Sequence, residues 1–195
     1  MSRQVLIVQG HPDSSATHFG HALADAYADG AKLGGHSVRR IDVAELDFPL
    51  LRDPRDFEHG TPPQTIIDCQ SAITWANHLV ILYPLWLGTM PALLKALIEQ
   101  VFRPGFAMEA SAPDRFPKKL LTGKSAHIVV TMGMPAFFYR WYYRAHGLKN
   151  LERNILSFCG IAPIRDTLIG MIGQDNESKQ AAWINKLRKL GEQAL

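Results

Sequence analysis

Five short apolar segments that alternate with longer helical segments constrain the fold of this chain most strongly. Val5–Val8 is a continuous apolar run, and the segment HLVILY at 78–83 is apolar after its first residue. Uninterrupted apolar runs of this length are typical of strands that are buried on both faces of a parallel sheet. The predicted strands lie at 5–8, 37–43, 78–83, 125–131 and 163–170.

Helical patterns follow each predicted strand. In the first of them, apolar residues keep helical spacing from Phe19 to Leu33, and Gly34 ends the helix. Pro91 stands at a first-turn position after the third strand, where its missing N–H costs nothing. Later helices are predicted at 64–77, 150–158 and 177–195, and the segment 47–63, rich in proline and charge, is predicted to be a long loop.

This alternation predicts a parallel sheet that is covered by helices on both faces. Five strands and five helices in 195 residues fit one α/β domain spanning 1–195. The expected architecture is a flavodoxin-like three-layer sandwich, with a five-stranded parallel sheet in the order 2-1-3-4-5. Ligands of such sheets bind beyond the carboxyl ends of the strands, so the loops after the first, third and fourth strands are the candidates.

Composition narrows the classes of partner. The net charge is +3, but Lys and Arg are scattered along the chain, so no nucleic-acid partner is predicted. No apolar stretch approaches the ~20 residues of a membrane span, and the N-terminal run is too short for a signal peptide, so a cytoplasmic location is expected. Cys69 and Cys159 lack metal-ligand spacing and are predicted to be buried thiols.

The loop after the first strand, QGHPDSSATHFG, carries hydroxyl and imidazole groups just before a helix. His11, Thr17 and His18 together with the free N–H groups of a helix N-terminus would suit a phosphate. An ordinary helix cap with additional serines explains the same residues equally well. A G-x-G-x-x-G pattern is missing from this loop, which disfavours a Rossmann dinucleotide site.

The loop after the third strand, YPLWLG, is apolar where surface loops are usually polar. Leu85, Trp86 and Leu87 offer apolar faces, and Gly88 lets the backbone approach a ligand closely. A flat heteroaromatic ring or a second subunit could cover these residues, and the two interpretations are compatible.

The loop after the fourth strand, TMGMPAFFYRWYYRAHG, is rich in aromatic residues between Phe137 and Tyr143. These residues are consistent with a core, with a dimer interface, or with one wall of a pocket. In a pocket, Tyr139, Tyr142 and His146 would supply hydroxyl or imidazole groups for proton transfer.

Three stretches carry a resemblance to a known family: GHP at 10–12, YPLW followed by MPALLKALIEQVFRPGFA at 83–107, and T-x-G-M-P at 131–135. They resemble the NAD(P)H:quinone oxidoreductase family, which includes the DT-diaphorases and the modulators of drug activity. The resemblance spans about 4–170. It implies a flavodoxin-like enzyme that uses FAD or FMN as cofactor and NAD(P)H as co-substrate, reduces quinones by hydride transfer, and forms a homodimer whose partner chain completes the pocket.

The resemblance also implies roles for individual residues. The phosphate end of the flavin would be held by His11, Thr17, His18 and Phe19. The isoalloxazine would be wrapped by Pro84, Leu85, Trp86, Leu87 and Gly88, and its far edge would contact Thr131, Gly133 and Met134. Tyr139 and His146 would be the catalytic pair.

Other functions share these motifs. A flavin-binding regulatory subunit of a potassium efflux transporter, docked at the membrane, is the nearest alternative, and an azo- or nitroreductase would use the same chemistry on another acceptor. One-electron flavodoxin carriers are typically strongly acidic, which this chain is not. The remaining histidines are expected at the surface or in packed positions rather than as metal ligands: His21, His36, His59, His78 and His127.

Overall fold

One parallel sheet forms the centre of the protein. The computed structural model describes residues 2–16, 18–109, 117–173 and 177–195. The strands are β1 (Gln4–Gln9), β2 (Ser37–Asp42), β3 (His78–Pro84), β4 (Ser125–Thr131) and β5 (Ile164–Ile169). All neighbours are parallel and the order is β2-β1-β3-β4-β5, which confirms the predicted flavodoxin-like topology.

Helices cover both faces of the sheet. The four long ones are α1 (Phe19–Leu33), α3 (Gln64–Trp75), α4 (Ala92–Val101) and α8 (Glu177–Gln193). Val5 and Ile7 pack in the cluster that contains α1 and α8, whereas Leu6 and Val8 pack in the cluster that contains α3 and α4. Since successive side chains of a strand point to opposite faces, a strand buried on both sides has to be apolar at every position. The apolar run at 5–8 has this cause.

Several boundaries differ from the sequence-based prediction. The predicted loop at 47–63 contains a short helix, α2 (Pro54–His59), whose N-cap Asp53 accepts a hydrogen bond from the Arg55 N–H (2.8 Å). Leu33, the last residue of the apolar pattern predicted for α1, is 73% exposed, although the final turn of the helix is packed: Ala31 is buried and Gly34 lies against the main chain of Glu192.

The region after β4 is more helical than predicted. It contains α5 (Ala136–Trp141), then α6 (His146–Lys149), which continues through π-helical turns (Asn150–Leu156) into α7 (Ser157–Cys159). Gly160 ends this helix with φ +104°, as the sequence predicts, because a residue without a Cβ tolerates the left-handed conformation. Cys69 and Cys159 are both buried and free, which confirms the prediction for the thiols.

No helix in the described part of the chain combines the length and the apolar character needed to cross a membrane.

A buried histidine pair lies at the amino edge of the sheet. His78 is 2% exposed; its Nε2 lies 3.1 Å from the Tyr27 hydroxyl and its Nδ1 lies 2.7 Å from the Ser125 hydroxyl. His127 is equally buried and bonds to the Leu195 carbonyl (2.9 Å). Burial, followed by the neighbouring charge of Arg3, lowers the pKa of His78 to about 3. Both rings therefore have the packed role that was predicted for them.

We expect acid to destabilise the protein through His78. The unfolded chain binds a proton near pH 6.5, whereas the folded chain binds it only near pH 3. Between these values the unfolded state holds more protons, so the free energy of unfolding falls as the pH falls, by about 2 kcal/mol at pH 5 relative to neutral pH. Urea unfolding across this pH range should show a steep loss in the wild type and a shallower one in His78→Gln. Parallel curves for the two proteins would contradict the assignment.

Candidate functional site at the carboxyl edge of the sheet

Main-chain hydrogen bonds join the three candidate loops. The Gly10 N–H, just after β1, donates to the Leu82 carbonyl of β3 (2.7 Å). The Leu85 N–H, just after β3, donates to the carbonyl of Thr131 at the end of β4 (2.7 Å). Each bond extends the pairing of the sheet into a loop, so the loops start side by side at one edge.

Three histidine rings lie together at the start of α1. The rings of His11 and His18 stack with centroids 3.8 Å apart, and the His21 ring is 5.5 Å from that of His11. His18 is the N-cap residue of α1, and its Nε2 lies 2.8 Å from the Asp13 carboxylate. Thr17, which the resemblance also places here, lies outside the described residues. His21 is a member of this cluster that no sequence pattern singles out.

The first turn of α1 adds main-chain donors to the histidine cluster. Within the described residues, the N–H groups of Phe19 and Gly20 donate to no protein acceptor. Unpaired N–H groups at the positive end of a helix dipole favour an anion. Phe19 itself is half-buried and packs against the α1 and α8 side of the core.

One carboxylate balances the imidazoles. Hydrogen bonds from Ser15 and then from His18 hold the pKa of Asp13 well below its usual range, so this side chain stays ionised. Partial burial, together with the nearby His18, lowers the pKa of His11. An anion bound at the helix end would act in the opposite direction, because negative charge favours the protonated imidazole.

Gln9, the last residue of β1, carries a buried polar atom that lacks a partner. It is 1% exposed; its Oε1 accepts from the His11 N–H (3.2 Å), but its Nε2 has no partner among the described residues. Gln9 and His11 border a cavity of about 320 Å³ together with Ser14, Ser15 and His21. Because a buried amide costs free energy unless it is bonded, this N–H group favours a ligand at that cavity.

The loop after β3 forms a tight turn with two free donors. The Trp86 N–H donates to the Thr89 carbonyl (2.9 Å), and the Thr89 N–H donates back to the Trp86 carbonyl (3.1 Å). The central residues, Leu87 and Gly88, have φ values of +47° and +83°, as in a type I′ turn. Within the described part of the chain, the N–H groups of these two residues donate to no acceptor. Trp86 lies 6.2 Å from the His11 ring, edge to face, so the turn adjoins the histidine cluster.

Leu87 is an outlier in this turn. A branched side chain is uncommon at positive φ, and such a conformation costs about 1–3 kcal/mol. The Leu87 side chain is also fully exposed, so no packing within the described chain offsets that cost. Strain and exposure at one residue favour a functional role for the turn over a structural one.

Residues that follow β4 form hydrogen bonds to the turn and pack against it. The Tyr139 hydroxyl donates to the Gly88 carbonyl (3.2 Å) and accepts from the Leu148 N–H (3.1 Å). Tyr139 is 1% exposed, and burial raises the pKa of its hydroxyl. A Cβ added at Gly147 would lie 2.3 Å from the Gly88 carbonyl oxygen, so only glycine allows this approach. Tyr139 is therefore buried and hydrogen-bonded to the turn in this structure, and its predicted catalytic role stays a prediction.

His146, by contrast, presents its ring to solvent. It is exposed, stands directly before Gly147, and its ring forms no hydrogen bond within the described residues. Arg144 and Ala145, which precede it, both have positive φ, of 51° and 48°. This strained bend leads into Gly147, which lies against the turn that contains Gly88.

The other predicted residues lie at the same edge with different exposure. Thr131 is buried at the end of β4, Pro84 and Leu85 are half-buried, and Met134 is half-buried beside the exposed Gly133. The aromatic residues after β4 are largely exposed: Phe137, Phe138, Trp141, Tyr142 and Tyr143. The rings of Phe138 and Tyr142 stack at 4.8 Å, so these side chains form one surface patch. Among the described residues, no group of three side chains is placed to bind a metal ion.

Comparison with known proteins agrees with this fold. Residues 3–192 match the model of the Flavodoxin_2 family, which is described by its flavodoxin-like fold. A ribosyldihydronicotinamide dehydrogenase-like protein of Penicillium crustosum is 25% identical over 78% of this chain, and the chain spans only 64% of that relative's length. An NAD(P)H oxidoreductase of Haemophilus influenzae, itself uncharacterized, is 27% identical over 92% of this chain and 89% of its own length.

A solved structure gives the same picture of the fold. The NAD(P)H:quinone oxidoreductase from Methanothermobacter marburgensis superimposes with a TM-score of 0.82 at 20% identity, covering 98% of each chain. Since the family model spans nearly the whole sequence and the strand order is the one expected of it, the chain belongs to the Flavodoxin_2 family.

Proposed function

We propose that the protein is a flavin-dependent NAD(P)H oxidoreductase that reduces quinones or similar acceptors by two electrons. The observation that supports the proposal is the strained turn at 86–89, next to the histidine cluster, with two N–H groups that have no acceptor among the described residues. When bound, the flavin supplies the redox chemistry: it accepts a hydride from NAD(P)H and passes two electrons to the acceptor.

The residues at the start of α1 fit the phosphate end of FMN or FAD. The N–H groups of Phe19 and Gly20, which have no acceptor among the described residues, lie at the helix start with the imidazoles of His11 and His18, and such groups favour negative charge. The unpaired Nε2 of Gln9 adds a buried donor below them. Asp13 opposes an anion, but its carboxylate is already hydrogen-bonded to the His18 ring.

The turn fits the polar edge of the flavin ring. Leu87 and Gly88 each offer an N–H group, and Trp86, 49% exposed, offers a flat apolar face. Because the two donors are already held in place, they can bind a ring in one orientation with little further loss of conformational entropy. Leu87 would also shield the ring from water with its exposed side chain.

His146 is the residue placed to handle protons. Its imidazole is exposed and belongs to the residue before Gly147, whose backbone contacts the turn, and an imidazole can accept or donate a proton through either ring nitrogen. Tyr139 acts through the turn, since its hydroxyl is bonded to Gly88 and Leu148.

Replacing Tyr139 with phenylalanine distinguishes positioning from proton transfer. The change leaves the buried Leu148 N–H without its acceptor, so we expect a loss of about 1–3 kcal/mol in the free energy of unfolding and weaker flavin binding. With flavin and substrates saturating, kcat should change by less than about threefold. A kcat that falls steeply while stability stays constant would restore Tyr139 as the proton donor. His146→Gln is the comparison variant, expected to lower kcat without a stability loss.

The exposed aromatic patch supports a homodimer. Trp141 and Tyr142 are 77% and 70% exposed, and aromatic residues are enriched where protein interfaces form. The patch lies in the segment just before His146. A second copy of the chain that packs against the patch would therefore also cover the pocket at the turn.

The visible absorbance spectrum of the purified protein tests the function. After FAD or FMN is added, flavin bands should appear and should bleach under anaerobic NADPH or NADH, then return on addition of a quinone. Bands that persist with both nucleotides would favour a flavin-binding regulatory subunit of a transporter instead. Failure to bind either flavin would overturn the proposal.

A further inference from the structure

We propose that the amino edge of the sheet carries a second binding site, which takes a small molecule through a phosphate-like oxyanion. A cavity of about 470 Å³ opens there. Arg3, Lys124 and Arg165 line it together with His78, Ser125 and Leu195. It lies at the opposite ends of the strands from the candidate flavin site, about 20 Å away for strands of this length.

The charged side chains that line this cavity have one sign. Three permanent cations line it, and among the described residues no Asp or Glu side chain does so. Arg165 is exposed and forms no ion pair within the described part of the chain. The three cationic side chains outnumber the one main-chain carboxylate that Leu195 can place there, and a bound anion would relieve their mutual repulsion.

Two of the cations are held in place by the fold. An Arg3 Nη donates to the Ala194 carbonyl (3.0 Å), which fixes the guanidinium and leaves other N–H groups of its fork unused. The Lys124 ammonium donates to the Thr74 carbonyl (3.0 Å) and to the Ala76 carbonyl at the end of α3. Fixed donors bind an anion at a smaller entropy cost than mobile surface side chains.

Buried groups at this edge respond to the same positive field. Burial lowers the pKa of His78, and the charges of Arg3 and Arg165 lower it further. Burial raises the pKa of Tyr27, and the same two arginines oppose that rise. Both side chains are almost completely buried. The positive electrostatic potential of the two arginines therefore extends into the core at this edge and is not confined to the surface.

The chemistry of the donors points to an oxyanion. Guanidinium groups present paired N–H donors that match the oxygens of a phosphate, and Ser125 adds a hydroxyl. The cavity is larger than inorganic phosphate, so the ligand is a small molecule that carries such a group.

NMR titration with inorganic phosphate tests this site directly. No flavin is added, because FMN itself carries a phosphate that would compete for the second site; the amides of the two edges are read separately, and chloride keeps the ionic strength constant. We expect saturable shifts of the Gly123, Lys124 and Ser125 amides. Arg165→Gln should weaken the binding about fivefold, as removal of one partly solvated charge predicts. Arg55→Gln, which removes an exposed charge outside the cavity, should leave it unchanged.

Three results would overturn the proposal. In the first, chloride alone produces the same shifts. In the second, Arg165→Gln binds phosphate as tightly as the wild type. In the third, the second-site amides show no saturable shift, because carboxylates of the chain already balance the cations. Shifts confined to the amides near His11 and His18 would place phosphate binding at the carboxyl edge alone and would likewise overturn the second site. The proposed flavin enzyme is tested separately, by its absorbance spectrum, so the two proposals can fail independently.

Discussion

Replacing Leu87 with proline is expected to abolish flavin binding while the fold survives. Proline removes the N–H of Leu87 and locks φ near −65°, whereas the turn requires +47°. The hydrogen bonds between Trp86 and Thr89 cannot form around such a residue. We expect the Kd for FMN or FAD to rise about 100-fold or more, measured by flavin fluorescence, because donors and shape are lost together. The turn is exposed, so the stability of the apoprotein should change by only about 1 kcal/mol.

Leu87→Gly is the matched control for the proline variant. Glycine keeps the N–H, accepts positive φ without strain, and removes only the exposed side chain. Its flavin Kd should therefore stay within about threefold of the wild type, since the donors persist. A proline variant that binds flavin normally would show that the turn does not hold the ring. A glycine variant that loses flavin would assign the affinity to the leucine side chain instead.

The sheet could be predicted because burial on both faces leaves few choices for its sequence. Val5–Val8 must be apolar at every position once helices pack on both sides, and that pattern has no other common explanation in a segment so short. The helix α2 could not be predicted in the same way. It buries no residue, so it leaves no apolar stripe, and only its Asp53-Pro54 start carries a signal.

The sequence predicts the loops at which the candidate site lies, but not the atoms that form it. The sequence placed the apolar loop after β3, yet the positive φ of Leu87 depends on a turn geometry that no leucine signals. Gln9 and His21 could not be predicted as site residues for another reason. A polar residue at a strand end and a histidine in the first turn of a helix are both common and do not indicate a function. Their importance comes from the unpaired Nε2 atom and from ring contacts made in three dimensions.

Tyr139 shows why a shared motif does not fix a residue's role. A tyrosine close before a histidine suggested a catalytic pair, and both residues do lie beside the turn at Gly88. The short helix α5, however, directs the Tyr139 side chain into the core. There its hydroxyl donates a hydrogen bond to the Gly88 carbonyl and accepts one from the Leu148 N–H. His146, the other member of the predicted pair, is exposed; the roles of both residues stay predictions.

Gly30→Ala is expected to cause the largest loss of stability among single-methyl additions at the face where α1 meets α8. A Cβ at Gly30 would lie 1.9 Å from the Arg188 carbonyl oxygen, and one at Gly191, on α8, would lie 2.2 Å from the Tyr27 carbonyl oxygen. The atoms in the way are backbone, so no side-chain rotation can relieve the overlap, and the two helices must separate. Overpacking of this kind costs about 3 kcal/mol, more than the ~1 kcal/mol that alanine gains over glycine in a helix.

Urea unfolding of Gly30→Ala beside Gly20→Ala separates these two effects. Both changes add the same methyl group to α1, but a Cβ at Gly20 meets its nearest atom, the Gln9 Nε2, at an ordinary 3.7 Å. Gly20→Ala should therefore unfold at the same or a slightly higher urea concentration than the wild type, and Gly30→Ala at a clearly lower one. Equal midpoints for the two variants would mean that α1 and α8 can move apart at little cost. Because α1 also presents the histidine cluster at its start, such freedom would make the phosphate end of the site adjustable rather than rigid.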